Sequence, residues 1–358
     1  MSPYAKLPAR AFWRTGVAEQ NPLTVTDLYR KKFAINPTDK IATAGSCFAQ
    51  HIATHLKRAG YPVLDVEPAP FGMTDETAKT FGYNLYSARY ANIYVVRQLL
   101  QLVREARGGL APAEAVWTKD GRYYDALRPS VEPNGLDTAE EVALHRAHHL
   151  KRVRNLFSQA DLLVFTFGLT ESWVHRETGT VYPTAPGAIA GEFDPAVYEF
   201  KNFTFGEIYQ DFVALRALLK RNRPDLKFLI TVSPVPLTAT AGGEHVLTAT
   251  TYSKSVLRAV AGQLYADFDD VDYFPSYEMV ATPFSRGFFY ENNLRSVHQG
   301  GVEAVMRVFF SQHALEQAAP APAAAPVMGK DPPRGGVEAQ KAKDDVVCED
   351  ALLEAFAP

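Results

Sequence analysis

A doubly wound α/β fold with a parallel central sheet is the architecture this sequence predicts, and three observations lead there. Residues 161–167 (DLLVFTF) are continuously apolar, and 227–232 (KFLITV) nearly so, as strands covered on both faces should be. Segments of 3.6-residue apolar periodicity alternate with such runs, which points to parallel strands joined by helical crossovers. In residues 40–59 a short apolar strand turns through Gly45 into a helix with Phe48, Ile52, Ala53 and Leu56 on one face.

Taken in order, residues 1–37 are broken by Pro3, Pro8, Pro22 and Pro37, and Trp13 and Phe33 suggest an arm packed on the domain. After the first strand and helix, residues 61–66 read as a second strand, entered from Gly60 as a helix stop. Residues 67–91 form a loop rich in Pro, Gly and aromatics, long enough to suggest function. Asn92 is a plausible N-cap for the helix that follows. Asp120-Gly121, between WTK and RYYD, predicts a hairpin. Residues 138–159 read as a long helix, and 172–205 as an insertion able to wall a substrate cleft. Helices are expected over 206–221, 252–264 and 302–312, with a last strand at 271–274.

The chain has 358 residues, 47% hydrophobic and 22% charged, which suits one large domain with extensions. A net charge of −3 without a basic stripe argues against nucleic acid and against an anionic membrane surface. The first residues lack an apolar signal core, and Cys47 and Cys348 lie far apart in sequence, so a cytoplasmic protein without a structural disulfide is expected. The first strand-to-helix turn has one glycine and no lysine, which weakens a phosphate-binding reading, and no cofactor is expected. His145, His148 and His149 invite a metal reading, but no HExxH glutamate or third ligand accompanies them; solvated helix-face histidines are the default. No metal is expected.

Chemistry concentrates at Gly45-Ser46-Cys47. A helix N-terminus favours negative charge, so a thiol placed there is expected to ionise more readily and act as a nucleophile. The plainer reading makes Cys47 a small buried hydrophobe.

GSCFA at 45–49 is the signature of the bacterial GSCFA-domain family. The chain also resembles that family in FTFGLTESW at 165–173, TVSPVPLTAT at 231–240, TYSKSVLRA at 251–259 and YFPSYEMV at 273–280. That family in turn resembles the SGNH/GDSL hydrolases. The resemblance implies a three-layer, flavodoxin-like (SGNH hydrolase-like) α/β fold and acyl-ester hydrolysis or acyl transfer, often on carbohydrates or other small acylated molecules. Aligned without gaps, the superfamily serine falls on Cys47 and its aspartate on Ser46; a shift of one residue restores Ser46 as nucleophile. The resemblance implies an oxyanion N–H from the loop before the helix, placed at Ala91–Asn92, with Gly45 beside it; a capping role is the alternative for Asn92.

The superfamily's strand-end Gly-x-Asn corresponds to Gly168-Leu169-Thr170, followed by Glu171. The amide is thus replaced by a hydroxyl, and a helix N-cap is the alternative role for Thr170. The superfamily's Asp-x-x-His fails here, because Arg295 stands three before His298. Some relatives in the resembled family carry Asp and His at the positions aligned with Asn293 and Ser296. His298 is the first candidate base and His245 the second, by loop position. The alternative is a binding or scaffold protein that has lost catalysis.

These readings divide the chain into an arm (1–37), the α/β domain (38–315), a linker whose Ala/Pro/charge-rich composition predicts disorder (316–345), and a short amphipathic segment (346–358). In that segment Leu352, Leu353 and Phe356 share helical spacing, suited to docking on the domain or on a protein partner, and Cys348 reads as an incidental exposed thiol.

Overall fold

The computed structural model describes residues 2–314 and 348–357. The predicted linker at 316–345 lies outside them. In chain order the main elements are β1 (Ile41–Gly45), α1 (Phe48–Arg58), α2 (Asp75–Thr80), α3 (Val96–Ala106), β2 (Val116–Lys119), β3 (Arg122–Asp125) and α4 (Ala139–Gln159). They continue with β4 (Leu162–Phe167), β5 (Glu171–His175), β6 (Val181–Tyr182), β7 (Tyr198–Asn202), α5 (Phe205–Lys220) and β8 (Lys227–Val232). The last are α6 (Val246–Asp267), β9 (Val271–Tyr273), α7 (Ser276–Ala281) and α8 (Gln299–His313).

A four-stranded sheet of order β1-β4-β8-β9, parallel throughout, forms the centre. The strand pleat sorts the apolar runs onto two faces. Ala42, Ala44, Leu163, Phe165, Phe167 and Ile230 pack in one core with α3, α4, α5 and α6. Ile41, Leu162, Val164 and Leu229 pack in a second core with α1, α7 and α8. Helices therefore cover both faces, giving the three-layer α/β architecture the sequence predicts. No described helix is long and apolar enough to cross a membrane.

The expected strand at 61–66 shrinks to one parallel bridge between Val63 and Ile41. Pro62 has no N–H to give a ladder. Its carbonyl accepts from Ile41 (3.0 Å), and Leu64 donates to the Ile41 carbonyl (2.8 Å). Beyond Leu64 the long loop takes over the edge: Thr43 N–H donates to Ser87 Oγ (2.9 Å), and Ile93 N–H to the Gly45 carbonyl (2.9 Å). An edge strand is thus covered by irregular chain instead of a fifth strand.

The Asp120-Gly121 hairpin forms as expected, with β2 antiparallel to β3 and both turn residues at positive φ (51° and 74°). The 172–205 insertion is a three-stranded antiparallel sheet, β6-β5-β7. In the arm, Tyr29, Ile35 and Phe33 pack on the second core, whereas Trp13 is 71% exposed.

Three further expectations need correction. Asn92 does not cap α3: the helix starts at Val96, and Gln98 Oε1 accepts the Tyr94 N–H at 3.0 Å. Thr170 caps no helix and leads into β5. His149 is not solvated. It is fully buried, with Nδ1 2.7 Å from Glu67 Oε2, while His145 and His148 remain at the surface. Burial, aided by the nearby Arg128 charge, pushes His149 down to about 4, so the neutral ring donates to Glu67. Burial alone would raise Glu67, but His149 and Arg128 outweigh it and hold the carboxylate at about 2.

Candidate active site

β1, β4 and β8 end side by side, and Gly45, the last residue of β1, meets Gly168 and Ser233, the residues after β4 and β8, at the carboxyl edge of the sheet. This is the edge where open α/β sheets bind ligands. Gly45 has φ of +140°, and a Cβ there would lie 2.6 Å from the Thr166 carbonyl oxygen. No other residue fits that turn. A Cβ on Gly168 would lie 2.9 Å from Ser46 Cβ and 3.0 Å from the Tyr94 carbonyl oxygen. The two strand ends therefore touch through glycines, which fixes Ser46 against β4.

Ser46 and Cys47 are buried, 3% and 5% exposed. Cys47 holds the N-cap position of α1 with helical dihedrals. Among the described residues, the hydroxyls of Ser46, Thr166 and Thr170 have no hydrogen-bond partner. A buried orphan hydroxyl costs about 1–3 kcal/mol, so three in one strand-end region call for a functional explanation. Ser46 is held by its backbone: its N–H donates to Thr166 O (3.3 Å), and its carbonyl oxygen lies 3.0 Å from Tyr86 Oη. Burial pushes Tyr86 well above the usual phenol range, so it remains protonated.

Ala91, at φ +59°, directs the chain so that Asn92 is buried beside this turn. Asn92 Oδ1 accepts from Tyr86 Oη and from Gln50 Nε2 (3.2 Å), which leaves its Nδ2 as the donor facing outward. Tyr94 is tied to the end of β4, because Gly168 and Leu169 N–H groups both donate to its carbonyl at 3.0 Å. On the other side Lys254, fully buried on α6, donates to the Gly168 carbonyl at 2.7 Å, and Ser253 Oγ accepts from Thr170 N–H at 3.1 Å. Glu171 Oε1 accepts from Thr240 Oγ1 at 2.9 Å.

A cavity of about 180 Å³ opens beside these groups, walled by Trp173 and Phe200 of the small sheet, by Leu169 and Leu237, and by Tyr94, Glu171 and Thr240. Residues 45–47 line neither this cavity nor a larger groove of about 530 Å³ between the arm and residues 283–288. The smaller cavity, however, is lined by Leu169 and Glu171, which follow β4, and by Tyr94, which is bonded to the end of β4. The chemistry, not the volume, selects the smaller one.

The structure brings Gly45, Ser46, Cys47, Gly168 and Asn92 together, with Thr170 and Glu171 following directly from β4. The two candidate histidines are engaged elsewhere. His298 caps α8: Nδ1 accepts from Gly301 N–H (3.1 Å), which puts the ring proton on Nε2, 2.6 Å from the Phe288 carbonyl oxygen. His245 caps α6 through Nδ1, accepting from Leu247 N–H (3.1 Å), and is exposed. Asn293 and Ser296 are hydrogen-bonded side chain to side chain at 3.1 Å. His51 lies four residues after Cys47 on α1, spacing that shares a helix face. Sequence reading passed over His51, Gln50, Tyr86, Tyr94 and Lys254; only the TYSKS block carried a hint of the last.

The sequence pattern of the GSCFA family matches residues 40–309. The chain belongs to the GSCFA family. No curated protein matches it. The matched span of this GSCFA protein runs from the residue before β1 into α8, and so includes every strand of the central sheet.

Proposed function

We propose that this GSCFA protein is an acyl-ester hydrolase or acyltransferase acting at residues 45–47 on an acylated small molecule or carbohydrate, as its resemblance to SGNH/GDSL hydrolases suggests. The observation that carries the reading is the Ser46 hydroxyl, buried without a partner beside the Cys47 thiol at the carboxyl edge of the sheet. In the proposed step, Cys47 Sγ bonds to the acyl carbon and the carbon–oxygen bond to the alcohol breaks. The thiol proton leaves with the alcohol. Water or an acceptor hydroxyl then releases the acyl group from sulfur. Ser46 orients the turn or the oxyanion, and is the alternative nucleophile. Trp173 and Phe200, with Glu171 and Thr240 beside them, suit a sugar ring stacked on an apolar wall with its hydroxyls bonded at the edge.

A specific observation favours a second reading, a binding protein that has lost catalysis: His298 and His245 serve as helix caps, and an Asn293–Ser296 pair stands where some relatives of the resembled family carry Asp and His. Short-chain acyl esters and thioesters, offered to the purified chain and to Cys47→Ala, Ser46→Ala and Cys348→Ala, separate the two. Turnover lost in Cys47→Ala and kept in Cys348→Ala supports the enzyme. Turnover unchanged in both Cys47→Ala and Ser46→Ala removes the turn from the chemistry.

A further inference from the structure

The described C-terminal segment returns to the domain through a carboxylate. Glu349 is 5% exposed, although it sits on a short 3-10 helix (Glu349–Phe356) far along the chain. Its Oε2 accepts from Asn92 Nδ2 and from Tyr94 Oη (3.0 Å), and its Oε1 from Ser130 Oγ (2.6 Å). Among the described residues it has no ion-pair partner, so three neutral donors hold the charge. The apolar residues of the same segment behave differently from the sequence expectation. Leu352 and Phe356 are 50% and 67% exposed, and only Leu353 reaches the cavity. Cys348 is half-buried, 4.0 Å from Tyr94 Oη and 3.7 Å from Arg295 Nη2.

Docking driven by the hydrophobic effect would bury the large side chains and leave the carboxylate in water. The reverse is observed. The donors are also positioned by the domain itself. Asn92 is oriented by Tyr86 and Gln50, and the Tyr94 backbone is tied to Gly168, Leu169 and Gln98. Ser130 follows Arg128, whose side chain binds Asp125 and the Arg89 carbonyl. A prearranged set of donors that takes both oxygens of one carboxylate is a binding site, and the tail is one molecule that fits it.

We propose that Asn92, Tyr94 and Ser130 form a carboxylate-binding subsite at the mouth of the cavity, and that the chain's own 348–356 segment is its resident occupant. An acidic ligand enters only by displacing Glu349. Because Tyr94, Glu349 and Leu353 line the same cavity as Trp173, displacement widens that cleft. Covalent attachment makes the segment an intramolecular competitor for the subsite. The proposal rests on binding geometry and does not require residues 45–47 to be catalytic.

The test uses a fluorescent peptide of residues 346–357, kept reduced, titrated against the full chain and against full-length Glu349→Ala by anisotropy. The peptide should bind Glu349→Ala at least tenfold more tightly than the wild-type chain, whose subsite is already filled. A peptide carrying Glu349→Gln should bind Glu349→Ala at least tenfold more weakly than the native peptide. Adding Ser130→Ala to the Glu349→Ala chain should weaken binding several-fold. A near-isosteric Glu349→Gln chain repeats the comparison should the alanine chain fold poorly. Equal affinity for wild-type and Glu349→Ala chains overturns occupancy by the tail. Equal affinity of the Glu and Gln peptides, or no binding up to millimolar peptide, overturns carboxylate recognition. None of these readouts depends on ester turnover.

Discussion

Substituting Gly168 tests whether the strand ends really meet as tightly as the site requires. The added methyl would lie 2.9 Å from Ser46 Cβ, 3.0 Å from Tyr94 O and 3.2 Å from Tyr94 Cα. Real Cβ atoms essentially never come as close as the Ser46 contact, and the two Tyr94 contacts, both to backbone atoms, are tighter than nine in ten real ones. The neighbours must move, which for overpacking costs about 1–3 kcal/mol. Replacing glycine also restricts the unfolded chain and returns about 0.4–1 kcal/mol. Gly168→Ala is therefore expected to lose about 1–2 kcal/mol. Gly206→Ala is the matched control: it lies in the first turn of α5 with no atom within 4 Å of the new Cβ, and should gain about 0.5 kcal/mol. Urea unfolding measures both, and at an m-value of about 3 kcal/mol/M the Gly168 variant should unfold about half a molar earlier than wild type. Gly168→Ala as stable as wild type, with the Gly206 control gaining, would refute the close contact of Ser46 with β4.

Other outcomes follow from the same structure. Iodoacetamide labelling of Cys348→Ala should report Cys47, and be abolished in Cys47→Ala/Cys348→Ala; unreactive Cys47 in a catalytically active chain would hand the nucleophile role to Ser46. Stability should fall as pH drops from about 6.5 toward 4. Burial holds His149 at about 4 in the folded chain, so over that window the unfolded chain binds more protons. The loss for this one group is roughly 3 kcal/mol, and His149→Gln should flatten the profile by about half, because His313, also pushed to about 4 by burial and Lys31, shares it. A profile unchanged in His149→Gln would contradict the buried neutral ring. Thr204→Ala should cost about 1 kcal/mol, since it removes the capping box in which Thr204 and Glu207 satisfy each other's backbone N–H at the start of α5; an unshifted urea midpoint would show that the cap contributes nothing.

The legible parts of the fold were those governed by near neighbours. Apolar runs marked β4 and β8 because a strand buried on both faces has no polar side to show. Asp120-Gly121 marked its hairpin because both positions need positive φ. The turn at Gly45 was legible for the same reason. Residues 61–66 misled, because their apolar content fits a strand while Pro62 denies the ladder a donor, a conflict resolved only by the loop that covers β1 instead. The histidines misled in the opposite sense: His298 and His245 sit in loops where a base would be sought, yet their ring nitrogens serve helix caps.

By itself the sequence determined the α/β class, the strand-to-helix turn carrying Ser46 and Cys47, and the family to which the chain belongs. Local patterning decides these, since strand, turn and helix preferences act over a few residues. Only the tertiary structure decided what surrounds that turn. Glu67 meets His149 across 82 residues, and Glu349 meets Asn92, Tyr94 and Ser130 across 257, 255 and 219. Such contacts have no periodicity to read. They exist because the sheet gathers its strand ends at one edge, and because a carboxylate removed from water must find donors wherever the fold has placed them.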